Sequence, residues 1–332
     1  MNIGIVVCTN GYGHIRRQSI LARELISKGN NVTIYFPRAS LEQISPDLID
    51  YCCDFNTHTA SSDWIKGEAQ SWTNTIGSLS EYDVVISDNL LDVLSLRPDA
   101  IISGSFFWHK TLDLAKTVTE HQESLLSECK PTIVSNKYFS PPYIKSIKNY
   151  RPIGFIKDKR SNQRGNKTTR GKTALLSIGM GRSESEILMQ SYVTDVLTEQ
   201  SQNFQKFEKI YIESRIYKES LPDNFVRARF DEKMFNDLDV VIGRPGIGLV
   251  SECVTRNIDY VSILEESNAE MVFNNDVLSR EFNIDVAKDF EEGMQLAFER
   301  CSRQSVFNKV NSAGLNEFVS VVEDDYEFHS KS

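Results

Sequence analysis

The chain has 332 residues, 40% apolar and 25% charged. That is the balance of a soluble globular protein, at a length that favours two domains of roughly 150 residues over one core. Lysine and arginine number 37 against 46 aspartates and glutamates, a formal net charge of −9, which is poorly suited to gripping long nucleic acid through its phosphates. The six cysteines (Cys8, Cys52, Cys53, Cys129, Cys253, Cys301) form no CxxC pair or other metal-ligand spacing, so no metal is expected.

No apolar run approaches the ~18 residues that span a bilayer. Met1-Asn2-Ile3 reads as strand rather than leader, so the expected compartment is a reduced cytoplasm. Residues 3–8 are the first strand, and residues 15–27 a helix with apolar positions at Ile15, Ile20, Leu21, Leu25 and Ile26. Gly29 closes that helix and residues 32–36 form the next strand.

Between the first strand and helix stands Gly11-Tyr12-Gly13-His14-Ile15-Arg16-Arg17. Glycines at a strand-to-helix turn let backbone approach a ligand, and the first helical N–H groups point the same way. His14 at the helix start reads as a general base or acid, with a capping or packed histidine as the plainer alternative. Arg16 occupies the third glycine position of a dinucleotide fingerprint. The second strand runs into Tyr35-Phe36-Pro37-Arg38 without an acid for a ribose diol. Both features disfavour a hydride-transfer enzyme.

Further strands are expected at 84–86, 100–102 and 132–134. Ser87-Asp88-Asn89 and Ser103-Gly104-Ser105-Phe106-Phe107-Trp108-His109 follow two of them. Asp88 is a candidate to orient His14. Ser105, Trp108 and His109 are candidates for an acceptor pocket, against a reading as aromatic core and caps. Residues 157–172 hold seven basic residues and one acid. They read as an interdomain segment, or as a docking surface for an anionic acceptor or lipid headgroups, so peripheral membrane contact stays open.

The alternation then restarts, with strands at 174–178, 210–212, 240–242, 260–264 and 284–286. Strand–helix alternation implies parallel pairing with right-handed crossovers. The expected architecture is α/β, two facing Rossmann-like doubly wound domains with a ligand cleft between them. Expected boundaries are 1–155 for the first domain, 156–172 for the linker, 173–320 for the second domain and 321–332 for a frayed tail.

Gly243-Arg244-Pro245-Gly246-Ile247-Gly248-Leu249-Val250-Ser251-Glu252 is a strand end, a Pro/Gly turn and a helix start. Its uncovered amides suit a diphosphate, and Glu252 one turn inside suits a ribose. Gly179-Met180-Gly181-Arg182 is a second anion-suited loop, through Gly179, Gly181 and Arg182. Glu270 and Asn274 share one helical face at i, i+4 and suit sugar hydroxyls, or are solvated. Asp237-Leu238-Asp239 precedes a strand, away from the crevice, and reads as a local turn rather than a metal site.

With these segments in view, the chain resembles the GT-B nucleotide-sugar enzymes. The group contains the peptidoglycan lipid-intermediate N-acetylglucosaminyltransferase and the pseudaminic-acid-pathway UDP-sugar hydrolase. The resemblance rests on the 11–17 motif, whose Gly-x-Gly-His-x-x-Arg form is similar to the hydrolase, on the 179–182 loop, on 243–252 and on 270–274. It implies a metal-independent, inverting glycosyltransferase that uses a UDP-sugar or similar donor as substrate, with no cofactor, and an unidentified hydroxyl acceptor. A nucleotide-sugar hydrolase and a non-catalytic sugar-nucleotide-binding subunit are the alternatives. Residue by residue, Gly13, Arg244, Gly246, Ile247 and Gly248 would serve the nucleotide diphosphate, Glu252 the ribose, Glu270 the donor sugar and His14 the acceptor proton. Gly11-Tyr12-Gly13 is shorter than the multi-glycine loop of the lipid-linked transferase, which argues against a lipid-diphosphate acceptor.

Overall fold

A computed structural model of the chain describes residues 1–8, 12–36, 54–56, 73, 76–159, 172–179, 183–301, 307, 310 and 312–330. The chain forms two compact units, Met1–Ile156 with Ala313–Ser332, and Lys157–Ser312. Among the described residues no helix is long and apolar enough to cross a membrane.

In the first unit the described elements are β1 (Asn2–Val6), α1 (Tyr12–Ser27), β2 (Asn31–Tyr35), β3 (Asp54–Asn56), β4 (Val84–Asp88), β5 (Ile101–Ser103), α2 (Trp108–Thr111), α3 (Lys116–Cys129), β6 (Ile133–Asn136), α4 (Pro142–Lys145) and β7 (Tyr150–Ile153). The strands pair in the order β3-β2-β1-β4-β5-β6-β7, all parallel. β1 and β4 are apolar almost throughout because both faces of the sheet are covered. Ile3, Ile5, Val84 and Ile86 pack with Leu21 and Leu25 of α1 on one face. Val6, Val85 and Ile102 pack with Leu91, Val93 and Phe107 on the other. Gly29 ends the α1 turn at φ +85°, a left-handed conformation natural to glycine at a helix C-terminus. The helix begins at Tyr12 rather than Ile15, so Gly13 and His14 lie in its first turn.

In the second unit the described elements are β8 (Thr173–Ser177), α5 (Glu184–Leu197), β9 (Lys209–Ile212), β10 (Phe225–Arg227), α6 (Glu232–Asp237), β11 (Val240–Gly243), α7 (Ile247–Arg256), β12 (Asp259–Ile263), α8 (Ala269–Phe282), β13 (Val286–Ala287) and α9 (Phe290–Arg300). The order is β10-β9-β8-β11-β12-β13, again all parallel. Both sheets therefore reverse their winding once, between β1 and β4 and between β8 and β11. In doubly wound sheets the ligand crevice lies at the carboxyl ends of the strands flanking that reversal.

The last helix, α10 (Gly314–Ser330), belongs to the first unit. This corrects the expected boundaries, which ran the second domain to 320 and left 321–332 as a tail. Leu315, Phe318, Val319 and Val322 form an i, i+3, i+4, i+7 stripe buried with α1. Glu317 accepts the Gly154 amide at 2.6 Å, and Lys28 pairs with Glu323 at 2.9 Å. A Cβ on Gly314 would stand 2.2 Å from the Gly154 carbonyl oxygen, so glycine is required where the chain returns. Most of the basic segment expected as a linker, residues 160–171, lies outside the described residues.

Candidate functional site

At the reversal of the first sheet, α1 follows β1 and Asp88 ends β4. The Asp88 side chain is wholly buried, a costly place for a charge unless it is paired and hydrogen-bonded. His14 Nδ1 lies 2.8 Å from its Oδ2, and the Arg17 guanidinium donates to its Oδ1. Burial by itself would raise the Asp88 carboxyl, but the nearby charges of Arg17 and His14 and their hydrogen bonds bring it down to about 2. At neutral pH Asp88 is therefore a pure acceptor, so Nδ1 of His14 carries the proton. The lone pair of a neutral imidazole is then on Nε2. The His14 side chain is 17% exposed.

One turn on, Gln18 donates to the Ser103 hydroxyl at 3.3 Å, tying α1 to the end of β5 as well. Asn89 leaves β4 at φ +63° and donates its amide to the Ser103 carbonyl at 2.8 Å. Its carboxamide occupies the space over Gly104, where a Cβ would sit 2.3 Å from Asn89 Oδ1.

The expected acceptor residues depart from their assignment. Ser105 and Trp108 are buried, and Trp108 packs edge-on against Phe106 with ring centroids 4.7 Å apart. His109 stacks on Phe107. Its Nδ1 lies 2.9 Å from Gln122 Oε1 and its Nε2 lies 3.1 Å from Glu123 Oε1. Burial lowers the basicity of His109 despite those partners. The segment after β5 turns its aromatic side chains into the core beside α3 instead of presenting them at the strand ends. A cavity of about 320 Å³ is lined by Phe107, Lys110, Glu123, Leu126, Tyr143 and Ile147 among others. None of its lining residues comes from α1 or β4.

In the second unit the Gly179 and Gly243–Gly248 segments follow β8 and β11, the strands that flank the reversal. Gly179 adopts φ +67°. Its amide and that of Ile178 donate to Glu213 Oε1, at 3.0 and 2.8 Å, as does the Ser177 hydroxyl at 2.7 Å. Gly179, expected with Gly181 and Arg182 in an anion-suited loop, thus has its amide directed to the Glu213 carboxylate rather than to a diphosphate. Arg215 closes the arrangement through the Gly179 carbonyl and Glu213 Oε2. Gly181 and Arg182 lie outside the described residues.

At the end of β11 a Cβ on Gly243 would be 2.4 Å from the Ser177 carbonyl oxygen, so the two strands can approach only over glycine. The carbonyls of the next turn are held from the core. Tyr260 OH donates to Arg244 O at 2.6 Å, and Asn274 Nδ2 donates to Pro245 O at 2.9 Å. Asn274 is thus buried beneath the turn rather than turned toward a sugar, which corrects its assignment. Gly246 is the N-cap of α7 and supplies no side-chain cap. The first amides of that helix keep their partial positive charge. Arg244 Nε stands 3.0 Å from Glu265 Oε2, which also accepts the Ser185 hydroxyl at 2.8 Å. Glu265 therefore ties the α7 turn to the start of α5.

Glu252 is largely buried, with Oε2 at 2.7 Å from Arg256 Nε, and Arg256 in turn holds Glu232 at 2.9 Å. Glu270 is half-buried in the first turn of α8, and its amide donates to Asn268 Oδ1 at 2.9 Å. Asp237 pairs with Lys209 at 2.7 Å and Asp239 accepts the Thr173 amide at 3.0 Å, at the amino end of the sheet. Among the described residues no group of three His, Cys, Asp or Glu side chains converges as a metal site. Glu265 and Tyr260 escaped the sequence reading of the site. Glu213 entered it only within residues 210–214, a generic edge for a nucleotide base, and Arg17 only as the final arginine of the 11–17 motif, where it or Arg16 is expected to face solvent or pair with an acid.

No family model matches the sequence, and no curated protein matches it. Solved structures do match along nearly the whole chain. The glycotransferase of kitacinnamycin superposes with a TM-score of 0.63 at 14% identity, covering 98% of this chain and 99% of that one. UGT89C1 of Arabidopsis thaliana, complexed with UDP, gives 0.59 at 10% identity over 98% and 99%. MurG of Acinetobacter baumannii gives 0.56 at 12% identity over 97% and 99%. The shared feature is the fold: two Rossmann-like units of the GT-B type.

Proposed function

We propose that this chain is a glycosyltransferase that moves a sugar from a nucleoside-diphosphate sugar, a UDP-sugar first among them, to an acceptor hydroxyl. Transfer is inverting and needs no metal. The observation that carries this reading is the pairing of His14 with the wholly buried Asp88 at the reversal point of a doubly wound sheet. It leaves one imidazole nitrogen to accept a proton.

In this reading Nε2 of His14 takes the proton of the acceptor hydroxyl as its oxygen attacks the anomeric carbon. The bond from that carbon to the β-phosphate oxygen breaks, and its electron pair leaves with the nucleoside diphosphate. One displacement inverts the centre. Asp88 stabilises the imidazolium that forms, and a base of this kind contributes about 10²–10⁴-fold. The second unit holds the donor. The amides of Ile247 and Gly248 take the diphosphate, a helix N-terminus favouring an anion by up to ~2 kcal/mol. Arg244 adds a cation at the same turn, Glu252 meets the ribose while Arg256 steadies it, and Glu270 meets the sugar.

Thermal unfolding with UDP, other nucleoside diphosphates and their sugars tests the donor half. A ligand at 100 times its dissociation constant should add about 2.7 kcal/mol, and no response to any of them overturns the reading. His14→Ala should lose about 10²–10⁴-fold in transfer with nucleotide binding intact. Sugar release without acceptor that outpaces transfer would mark a hydrolase instead.

A further inference from the structure

His14 and Arg17 are three residues apart on α1 and so share one helical face. Each holds a different oxygen of Asp88: His14 through Nδ1 at 2.8 Å from Oδ2, Arg17 by donation to Oδ1. Both oxygens of a carboxylate with no solvent exposure are thus gripped by a single helix. Among the described residues, β5 adds a neutral group to this corner, the Ser103 hydroxyl, which accepts from the Gln18 carboxamide of α1.

We propose that Arg17 is a positioning residue for the base: it balances the charge of Asp88, so that the buried corner is electrically neutral when the His14 imidazole is unprotonated. This rests on the reading of His14 as the base.

With Arg17 in place, Asp88 and Arg17 cancel, and a proton on His14 leaves a net charge of +1 in a poorly hydrated setting. Without Arg17, the carboxylate is cancelled only when His14 itself carries the proton. Poor hydration disfavours net charge, so Arg17 decides which form of the imidazole the site favours. A base that already holds a proton cannot take one from an acceptor. The low carboxyl value of Asp88, held down by Arg17 and His14 together against the effect of burial, agrees with a carboxylate that stays ionised throughout. Arg17 also prevents the carboxylate from turning away from Nδ1, since its second oxygen is occupied.

The test needs no substrate. The protein, labelled at histidine Cε1, is titrated by NMR, with the His14 signal identified by its loss in His14→Ala. Arg17→Met should raise the His14 titration midpoint by about one pH unit relative to the unsubstituted protein. Arg17→Lys, which keeps the charge, should restore most of it. An unchanged or lowered midpoint in Arg17→Met overturns the proposal. Should Arg17→Met not fold, Asp88→Asn decides. There Arg17 acts unopposed, and the midpoint should fall below the ~6.5 of an unperturbed histidine; a midpoint at or above that value overturns the proposal equally. Failure here is distinct from failure of the transferase reading, which full transfer by His14→Ala would show.

Discussion

The Gly179 amide donates to Oε1 of Glu213 at 3.0 Å. The same oxygen takes the Ile178 amide and the Ser177 hydroxyl, so a carboxylate from the end of β9 braces the turn after β8 from beneath. Gly179 contributes a left-handed backbone to this turn, and its donor is spent internally. Glu213→Ala would strand two buried donors, the Ser177 hydroxyl and the Ile178 amide, at about 1–3 kcal/mol each, and would release the more exposed Gly179 amide as well. The expected loss, after partial relaxation, is about 3 kcal/mol in urea unfolding, with weaker UDP binding. Glu213→Gln keeps an acceptor oxygen and should lose less than half as much. Equal stability of the alanine variant would show that the brace is not needed.

Gly246 offers a second test, because no side chain caps α7 and nothing lies within 4 Å of where its Cβ would be. Gly246→Asp should cap the helix and stabilise the free protein by a few tenths of a kcal/mol, roughly. The same carboxylate would occupy the leading amides and repel a diphosphate. UDP affinity should therefore fall by about tenfold or more. Calorimetric titration with UDP reads this directly, and an unchanged affinity would remove the α7 amides from the donor site.

Asp88 carries a pH signature in stability. Its carboxyl is lowered from 3.8 to about 2 in the folded chain, so the unfolded state binds the proton more readily. The resulting stability is complete above pH 3.8 and drains away as pH falls toward 2, by about 2 kcal/mol in all. Urea midpoints from pH 5 to pH 2 should show this decline, and Asp88→Asn should flatten that part of it while starting from a lower plateau.

Phe318 tests the return of the chain to the first unit. It is fully buried with Leu315, Val319 and Val322 against α1. Phe318→Ala should cost about 3–5 kcal/mol, read as loss of cooperative unfolding of the first unit. A loss below about 1 kcal/mol would mean that α10 docks loosely.

The strands at 84–86, 174–178 and 240–242 were legible because a parallel sheet covered on both faces requires unbroken apolar runs. The short β10 (Phe225–Arg227) was not, since three residues carry no period. The pairing of His14 with Asp88 was foreseeable from a strand end and a helix start converging at one winding reversal. Trp108, His109 and Asn274 misled. Indole, imidazole and carboxamide groups after strand ends suit ligands, yet here they satisfy the core and the turn. The stripe from Leu315 to Val322 had helical spacing in plain view, but its partner helix lies some 300 residues earlier.

Local sequence alone determined where strands break into glycine turns and which turns open onto a helix start, because those choices depend on neighbours within a few residues. Side-chain commitments needed the tertiary structure. Whether a carboxylate, imidazole or amide meets a ligand or a protein partner depends on groups brought close from distant segments, as Glu213 is to Gly179 and Arg17 to Asp88. A buried polar atom takes the nearest partner that the folded chain supplies.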